Sequence, residues 1–319
     1  SPSAVTDGKL VWFYFGTGDL VACDLDGNVK WSRNIQKDYG PFNIQWIYAS
    51  SPLLYQGRLY IQVLQRDVPP KGPASGPPAD SYLLAMDAAT GKDLWRHIRP
   101  NAAVEESKES YGTPIPYTDN GHTEILLVGG DCMTAHDPDT GKEVWRCGGW
   151  NPQKIGHWRI VSSPVAVDGL VITCPPKGGA IFAIKDGGNG DVTQTNVAWK
   201  NPDLSSDAAV PLVYKDHLYV LNGDKKKELF CVEPKTGKIL WTNTLGGKSV
   251  FRASPTGADG KIYCLNEAGQ VFVLSADEPK VLSTAELGGT ANHATVAVAD
   301  GEVFVRAGDK LYAFKGSSK

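Results

Sequence analysis

The sequence has no long apolar run and no excess of charge of one sign, and each absence excludes a class of protein. No stretch approaches the ~18–20 apolar residues that a membrane-spanning helix needs. Lys and Arg total 32 against 35 Asp and Glu, a net charge of −3, which argues against a nucleic-acid-binding face or a polybasic membrane anchor. We therefore expect a soluble globular protein with no nucleic-acid partner and no transmembrane segment.

Closely spaced cysteines and common catalytic motifs are also lacking. There is no CxxC, CxxCH or adjacent cysteine pair, which excludes the usual zinc-finger, thioredoxin and c-type haem spacings. His-x-x-x-His, a Ser/His/Asp spacing and a glycine-rich phosphate loop are missing as well. We expect no metal site, and we interpret the cysteines as small buried hydrophobic residues, with one or two disulfides open if the compartment is oxidising. The six are Cys23, Cys132, Cys147, Cys174, Cys231 and Cys264.

What the sequence does contain is a repeat in which a strand, a tight turn and a second strand end in Trp. Clear copies are LLAMDAATGKDLW (83–95), MTAHDPDTGKEVW (133–145) and LFCVEPKTGKILW (229–241), and divergent copies lie at 20–31 and 181–199. Glycine in the turn supplies a positive φ, and a preceding Asp can bond the turn backbone. Two further copies, 271–278 and 311–317, keep the first strand alone.

Aligning the copies produces one column of small residues and one column of indoles. Five of seven positions in the first column are Ala, so we expect a bulky group to pack over it, and the Trp column supplies that group. The small-residue column is Ala22, Ala85, Ala135, Ala183, Cys231, Val273 and Ala313, and the indole column is Trp31, Trp95, Trp145, Trp199 and Trp241.

A second unit, two apolar strands joined by a short turn, precedes each copy. Examples are SPLLYQGRLYIQV (51–63) and SPVAVDGLVITC (163–174), in which Gln-Gly and Asp-Gly are hairpin signals. Seven four-stranded antiparallel units of this length predict an all-β single domain over 1–319, a β-propeller with nearly no helix. A solenoid fits poorly, because there is no polar capping repeat. The approximate repeat ranges are 1–50, 51–112, 113–162, 163–206, 207–253, 254–292 and 293–319.

The ends of the sequence bear on how such a ring would close. The first repeat begins at its innermost strand, and the last ends after its third strand. Propellers usually pair their terminal segments to remove an open edge. We expect residues upstream of Ser1, up to a whole further blade, so that the complete ring has eight blades; in a seven-bladed ring the last blade would have three strands.

The signature Ala-x-Asp-x-x-Thr-Gly-Lys-x-x-Trp, from Ala85 to Trp95 and from Ala135 to Trp145, resembles the PQQ-like β-propeller repeat family. The resemblance extends over essentially the whole chain and is greatest to bacterial cell-envelope propellers of the BamB type. It implies a periplasmic or secreted location and a protein or glycan ligand. Quinoprotein dehydrogenases of this fold carry adjacent cysteines over the quinone and a calcium ion. This sequence has no adjacent cysteines, so we expect neither PQQ nor calcium.

Two other segments have alternative interpretations. The acidic turns Asp24–Asn28 and Asp186–Asp191 resemble calcium loops in their oxygen ligands, but the first lacks a distal Glu, and we interpret both as solvated turns. The Pro- and Gly-rich excursion at 64–82 is either a partner-docking arm or a tolerated insertion. We favour the insertion.

The candidate site is the mouth of the axial channel, where loops enter the innermost strands. These loops are rich in aromatic residues together with Arg, Asn and His, which suit recognition of sugars, anions or peptides. We predict a non-catalytic binding or scaffolding propeller. A quinoprotein-like oxidoreductase and a carbohydrate-active protein remain alternatives. The predicted binding residues are Trp46, Tyr48, Tyr111, Trp158, Arg159, Asp207, Arg252, Asn292 and His293.

Overall fold

The structure is a computed structural model that describes residues 2–72, 78–119, 121–175, 179–224 and 226–316. Helix is almost absent from these residues: one α-helix, α1 (Ile35–Tyr39), and one 3-10 helix (Glu105–Lys108) are present. Within the same ranges, no helix has the length and apolar character required to span a membrane. The chain divides into two compact units.

The first unit comprises residues 1–164 and 186–197 and contains three sheets. Two are four-stranded meanders, and the third carries a fifth strand, β16, at its outer edge. The central strands β6 and β7 are almost wholly buried, as expected for strands covered on both faces. The strands are β1 Val5–Thr6, β2 Leu10–Tyr14, β3 Asp19–Asp24, β4 Val29–Asn34, β5 Leu53–Tyr55, β6 Arg58–Val63, β7 Tyr82–Asp87, β8 Asp93–Ile98, β9 Ile115–Asp119, β10 His122–Gly129, β11 Cys132–His136, β12 Glu143–Cys147 and β16 Gly190–Asp191.

The second unit comprises residues 165–185 and 198–319 and contains four sheets. Three have four strands, and the last, β26–β28, has three within the described residues. The seven sheets are the antiparallel blades of a β-propeller, which confirms the predicted fold class. The strands are β13 Val165–Val167, β14 Leu170–Thr173, β15 Ile181–Lys185, β17 Val197–Asn201, β18 Leu212–Tyr214, β19 His217–Asn222, β20 Glu228–Val232, β21 Ile239–Thr244, β22 Thr256–Ala258, β23 Lys261–Leu265, β24 Gln270–Ser275, β25 Val281–Glu286, β26 Ala297–Ala299, β27 Glu302–Ala307 and β28 Lys310–Lys315.

The small-residue and indole columns are cross-strand partners within a sheet. Ala85 pairs with Trp95, and Ala135 pairs with Trp145. The register shifts by one residue immediately after each of these alanines. Such a bulge increases the local twist, and the small side chain leaves room on the shared face for the neighbouring indole.

The indoles of Trp31, Trp95 and Trp199 also reach the turn of the following sheet. Trp95 Nε1 donates to the carbonyl oxygen of Pro138 at 3.2 Å, and Trp199 Nε1 donates to that of Pro234 at 2.8 Å. The ring of Trp199 lies on Gly237, whose φ is +71°. Turn glycine and indole are therefore parts of one contact between consecutive blades.

The sequence predicts a plain turn between β15 and β17, but the structure has an additional strand in this connection. This strand, β16, pairs in parallel with β12 so that Gly190 lies opposite Trp145. Val192 N donates to the carbonyl oxygen of Arg146 at 2.8 Å, which continues this pairing. Trp145 is consequently fully buried, and its indole donates to Glu124 Oε2 at 2.8 Å rather than to a following turn.

Candidate binding site

Three loops that enter inner strands meet in the first unit. The loop ending at Ser110 forms a parallel bridge with Ile160, and Tyr111 N donates to the carbonyl oxygen of Ile160 at 3.1 Å. The third loop, which contains Gln45, joins them through its backbone: Gln45 N donates to Glu109 Oε2 at 3.0 Å. Five of the predicted site residues belong to these loops.

Glu109 is the centre of this meeting point and is fully buried. Its carboxylate accepts hydrogen bonds from the Tyr111 hydroxyl at 2.5 Å and from Arg66 Nε. Burial, together with the neighbouring Glu109 carboxylate, raises the pKa of Tyr111 well above its usual value. The Tyr111 hydroxyl is therefore committed to Glu109 as a donor rather than free for a ligand.

A second carboxylate, that of Glu106, holds the indole of Trp46. Trp46 Nε1 donates to Glu106 Oε1 at 2.9 Å, and Arg159 Nε lies 3.4 Å from the same oxygen. The Trp46 side chain is nevertheless 64% exposed, and the adjacent Ile47 is 67% exposed. The indole is thus fixed by its polar edge while its faces remain open to solvent.

The other two predicted residues of this unit do not present their side chains in the same way. Tyr48 is buried in the core, packed against Tyr14 and Phe42 with ring centroids 4.9 Å apart in both cases. Its hydroxyl donates to the carbonyl oxygen of Gln62 at 2.6 Å. Trp158 is half-buried, and its backbone N–H donates to Ser107 Oγ at 2.8 Å.

The remaining four predicted residues lie in the second unit, and three of them are grouped around the guanidinium of Arg252 or its partner Glu267. Arg252 Nη1 lies 2.8 Å from Asp207 Oδ2, Arg252 Nη2 lies 3.3 Å from Asp224 Oδ1, and Arg252 Nε lies 3.8 Å from Glu267 Oε1. His293 Nε2 lies 2.9 Å from the same Glu267 oxygen. The structure therefore brings Asp207, Arg252 and His293 into one cluster.

Asn292 has a structural position instead. Its amide donates to the carbonyl oxygen of Glu267 at 2.9 Å and accepts from Gly308 N at 2.7 Å. Because the side chain is buried and both ends are used, it holds two loops together rather than facing a ligand.

The acidic and basic residues that organise both clusters were not among the predicted site residues. Glu106, Glu109 and Arg66 hold the loops of the first unit, and Asp224 and Glu267 surround Arg252 in the second. Glu109 stood within a loop already singled out for Tyr111, so the charge beside the aromatic residue was a usable signal. Arg66 lies at the base of the 64–82 excursion, and no local pattern links it to Glu109. Residues 73–77 of that excursion lie outside the described residues, and its interpretation as an insertion stays a prediction.

The interpretation of the acidic turns as solvated turns stays a prediction; in the structure Asp24 is held within its own turn, whereas one carboxylate oxygen of Asp186 is buried. The Asp24 carboxylate accepts from Asn28 N at 2.8 Å and pairs with Lys30 Nζ at 2.8 Å, which lower the pKa of Asp24 well below its usual range. Asp191 Oδ1 accepts from Thr193 N at 2.9 Å. Across the described ranges, no group of three or more His, Cys, Asp or Glu side chains has the geometry to hold a metal ion.

None of the six cysteines, all of which lie among the described residues, forms a disulfide. Burial raises the pKa of Cys147 and Cys231 to about 11, and that of Cys264 to about 12. These three thiols therefore behave as the small buried hydrophobic residues that the sequence analysis expected.

The chain was compared with known families and structures. Residues 225–318 match the family model described as outer membrane protein assembly factor BamB. No curated protein matches. Among solved structures, BamB from Moraxella catarrhalis is 16% identical with a TM-score of 0.66, and the match covers 97% of this chain and 82% of that one.

Two dehydrogenases share the fold. A europium-containing methanol dehydrogenase is 12% identical with a TM-score of 0.67, and the match covers 96% of this chain and 72% of that one. A quinohemoprotein alcohol dehydrogenase from Comamonas testosteroni is 14% identical with a TM-score of 0.63 and 96% of this chain covered, but the match spans only 62% of that enzyme's length. At these identities the likeness concerns the fold alone. The chain therefore shares its β-propeller fold with these structures, and residues 225–318 match the family model, in agreement with the resemblance that the sequence signature indicated.

Proposed function

We propose that this protein is a non-catalytic binding scaffold of the bacterial cell envelope, and that a protein partner docks on the Trp46–Ile47 surface of the first unit. The observation that carries the proposal is the exposure of these two apolar side chains on loops that are otherwise tied down by ion pairs. Exposed Trp is enriched at the energetic centres of protein interfaces.

The carboxylates that hold Trp46 and its neighbouring loops in place favour this interpretation. Glu109 fixes the loops through three hydrogen bonds, and Glu106 fixes the indole through one. An aromatic side chain that is already immobilised loses little conformational entropy on binding, so more of its burial is available as affinity. The envelope location is proposed from the likeness to BamB, an outer membrane protein assembly factor by the description of its family.

A photo-crosslinking amino acid placed at Ile47 tests the proposal in cells that produce the protein. We expect a discrete adduct with an envelope protein, and we expect Trp46→Ala to abolish it without changing the melting temperature. The matched control is the same probe at Leu25, which is 66% exposed on the turn after β3. No adduct at position 47, or equal adducts at both positions, would overturn the proposal.

The dehydrogenase neighbours make a quinoprotein oxidoreductase the alternative. The residues of this chain fit that cofactor poorly: the sequence lacks adjacent cysteines, and no three His, Cys, Asp or Glu side chains among the described residues are placed to share a metal ion. We therefore propose that the protein works without PQQ or calcium. Adding both and following dye reduction tests this; turnover above a heat-inactivated control would favour the alternative.

A glycan is the remaining alternative ligand, because an exposed indole also stacks on sugar rings. A glycan array tests it directly. Selective glycan binding that is lost in Trp46→Ala, in the absence of any protein adduct at position 47, would replace the protein partner in this proposal.

A further inference from the structure

The third strand of the last sheet, β28 (Lys310–Lys315), is exposed, whereas the third strands β7, β11 and β20 of other sheets are almost wholly buried. Five of the six residues of β28 are exposed, including Leu311 at 73% and Phe314 at 44%. Each of the other sheets has a fourth strand outside its third, and β28 pairs with β27 alone within the described residues. The outer side of β28 is therefore an apolar edge that another strand can join.

The pairing in the other sheets predicts which side chain such a strand would place opposite β28. In four sheets a small residue of the third strand lies opposite a Trp of the fourth, in antiparallel pairing, and each small residue is at most 1% exposed. The pairs are Ala22–Trp31, Ala85–Trp95, Ala135–Trp145 and Cys231–Trp241.

The sheet β22–β25 shows that the sizes of the two side chains are linked. There the larger Val273 lies opposite Ser283 instead of Trp. Paired side chains share one face of the sheet, so a small one leaves room for a large one. The corresponding residue of β28 is Ala313, which is exposed. Its small size predicts a Trp in the position opposite.

An aromatic ring for this Trp to pack against is already present on β27. In sheet β18–β21, Tyr219 of the second strand pairs with Cys231, and its ring centroid lies 6.0 Å from that of Trp241. Sheet β5–β8 repeats the arrangement, with the centroids of its Tyr and Trp rings 5.9 Å apart. In the last sheet Phe304 pairs with Ala313 in the same way and is half-buried. This sheet therefore has the aromatic and the small member of the row, and the position of the indole is open.

We propose that β28 binds an extended segment of a partner protein as a fourth, antiparallel strand, with a Trp of that segment opposite Ala313 and against Phe304. Main-chain hydrogen bonds along the edge supply affinity, and the indole supplies selectivity. A second copy of this chain is a poorer occupant, because every described strand that carries a Trp is already paired within its own sheet. The inference goes beyond the docking surface at Trp46 and Ile47 and gives the proposed scaffold a second contact of defined chemistry.

The test measures binding of the peptide KILWTNTL, which copies residues 238–245 of an outer strand, to the full chain. The peptide has capped ends and a fluorescent label, and anisotropy gives its affinity. We expect saturable binding. Replacing its Trp by Ser should weaken binding at least about tenfold, because the indole no longer becomes buried. A peptide that keeps the Trp but has Pro at the next two positions should not bind.

The two prolines test the strand pairing itself. Successive N–H groups of a strand point to opposite sides, so one of the two prolines removes a hydrogen bond to β28 whichever edge the peptide presents. Binding of the proline peptide with the affinity of KILWTNTL would mean that the indole binds without a strand, and it would overturn the proposal.

Ala313→Val tests the link between side-chain sizes in the protein. Val at this position matches Val273, so the variant should bind the Trp peptide about tenfold more weakly and the Ser peptide at least as well as the parent protein does. The matched control is Ala299→Val, the same substitution at an exposed position of β26, at the other edge of the sheet. It should change both affinities less than about twofold. Circular dichroism establishes that both variants are folded, and equal weakening by the two would overturn the proposal.

Hydrogen exchange of the parent protein shows which edge the peptide occupies and needs no variant. KILWTNTL should protect the amides of β28 but not those of β25 (Val281–Glu286), an outer strand that is exposed along its whole length. Equal protection of β25, or the absence of binding, would overturn the proposal. A dimer that protects β28 without peptide, detected by sedimentation, would overturn it in favour of a second copy. None of these measurements involves Ile47, so this proposal and the crosslinking at Ile47 can fail separately.

Discussion

The six-membered ring of Trp31 lies directly on Gly91, the turn glycine of the next sheet. A Cβ atom at position 91 would fall 2.7 Å from Trp31 Cε3, and the φ of Gly91 is +69°. The same indole donates to the carbonyl oxygen of Ala88 at 3.0 Å, three residues earlier in the turn. The same turn therefore provides both the glycine on which Trp31 packs and the carbonyl oxygen that accepts from its indole N–H.

Gly91→Ala should consequently lower the free energy of unfolding by about 2 kcal/mol or more. The substitution forces a side chain into an unfavourable backbone conformation and into the volume of the indole. Chemical denaturation monitored by Trp fluorescence measures the change.

Gly27→Ala is the control that separates these two effects. Gly27 also has a positive φ, +85°, but a Cβ there meets no atom within 4 Å. We expect this variant to lose about 1 kcal/mol, the cost of the backbone conformation alone. Equal losses in the two variants would mean that the indole contributes nothing at position 91.

This contact explains why the fold could be predicted from the sequence. The turn Thr-Gly-Lys and the terminal Trp are local patterns, and both recur in the three clear copies because the backbone of the turn and the packing of the indole require them. Trp145 does not pack on the turn of the next sheet, because β16 covers it. The sequence of the connection that contains β16 shows no alternation of apolar and polar residues, so it gave no sign of this strand.

The candidate site was less predictable, because irregular loops have no side-chain period. Trp46 and Tyr48 are two residues apart in one loop, yet one is exposed and the other is in the core. Arg66 and Glu109 are 43 positions apart, and only the folded chain shows that they are partners.

Cysteine reactivity should follow burial. Cys23 is the least buried of the six thiols, whereas Cys264 is fully buried with a pKa raised to about 12. Brief alkylation of the native protein at neutral pH should label Cys23 alone, since the thiolate is the nucleophile and must be accessible. Peptide mass mapping identifies the site, and a denatured sample should be labelled at all six. Labelling of Cys264 at the rate of Cys23 would contradict the buried position of β23.

Asp131 should make the protein less stable as the pH rises. Burial raises its pKa to about 6 from an ordinary 3.8, although a hydrogen bond from Asn151 Nδ2 at 3.0 Å acts in the opposite direction. The folded state therefore binds this proton more tightly than the unfolded state, and the resulting stability is present below about pH 4 and lost as the pH rises through about 6.

Asp131→Asn should therefore stabilise the protein by about 1 kcal/mol near neutral pH. This is less than the free energy that the full pKa shift corresponds to, because solvent still reaches this carboxyl. The gain should vanish near pH 4. Urea denaturation of both proteins at the two pH values measures it. A gain of the same size at both would assign the effect to something other than the charge.

His136 should act in the opposite direction over the same range. It is fully buried between the Gly141 carbonyl oxygen, 2.9 Å from Nδ1, and Thr134 Oγ1, 2.9 Å from Nε2. Because a carbonyl oxygen only accepts, Nδ1 carries the proton and Nε2 accepts from the hydroxyl. Burial lowers the pKa of His136 to about 4 from 6.5.

The unfolded state consequently binds the His136 proton more tightly, so the protein loses stability as the pH falls from about 6.5 through about 4, by about 3 kcal/mol in total. His136→Asn keeps a donor toward Gly141 and cannot be protonated. It should cost about 1–2 kcal/mol at neutral pH through a cavity and a lost hydrogen bond, but the stabilities of the parent protein and the variant should cross between about pH 6 and pH 5, and the variant should be the more stable of the two at about pH 4. His97→Asn, at a ring centroid 5.4 Å from that of His136 but partly exposed, should leave this pH dependence unchanged. The series is performed in the Asp131→Asn background, which removes the carboxyl whose pH dependence has the opposite sign. If the difference in the free energy of unfolding between parent and variant is constant across the pH range, a group other than His136 causes the acid sensitivity.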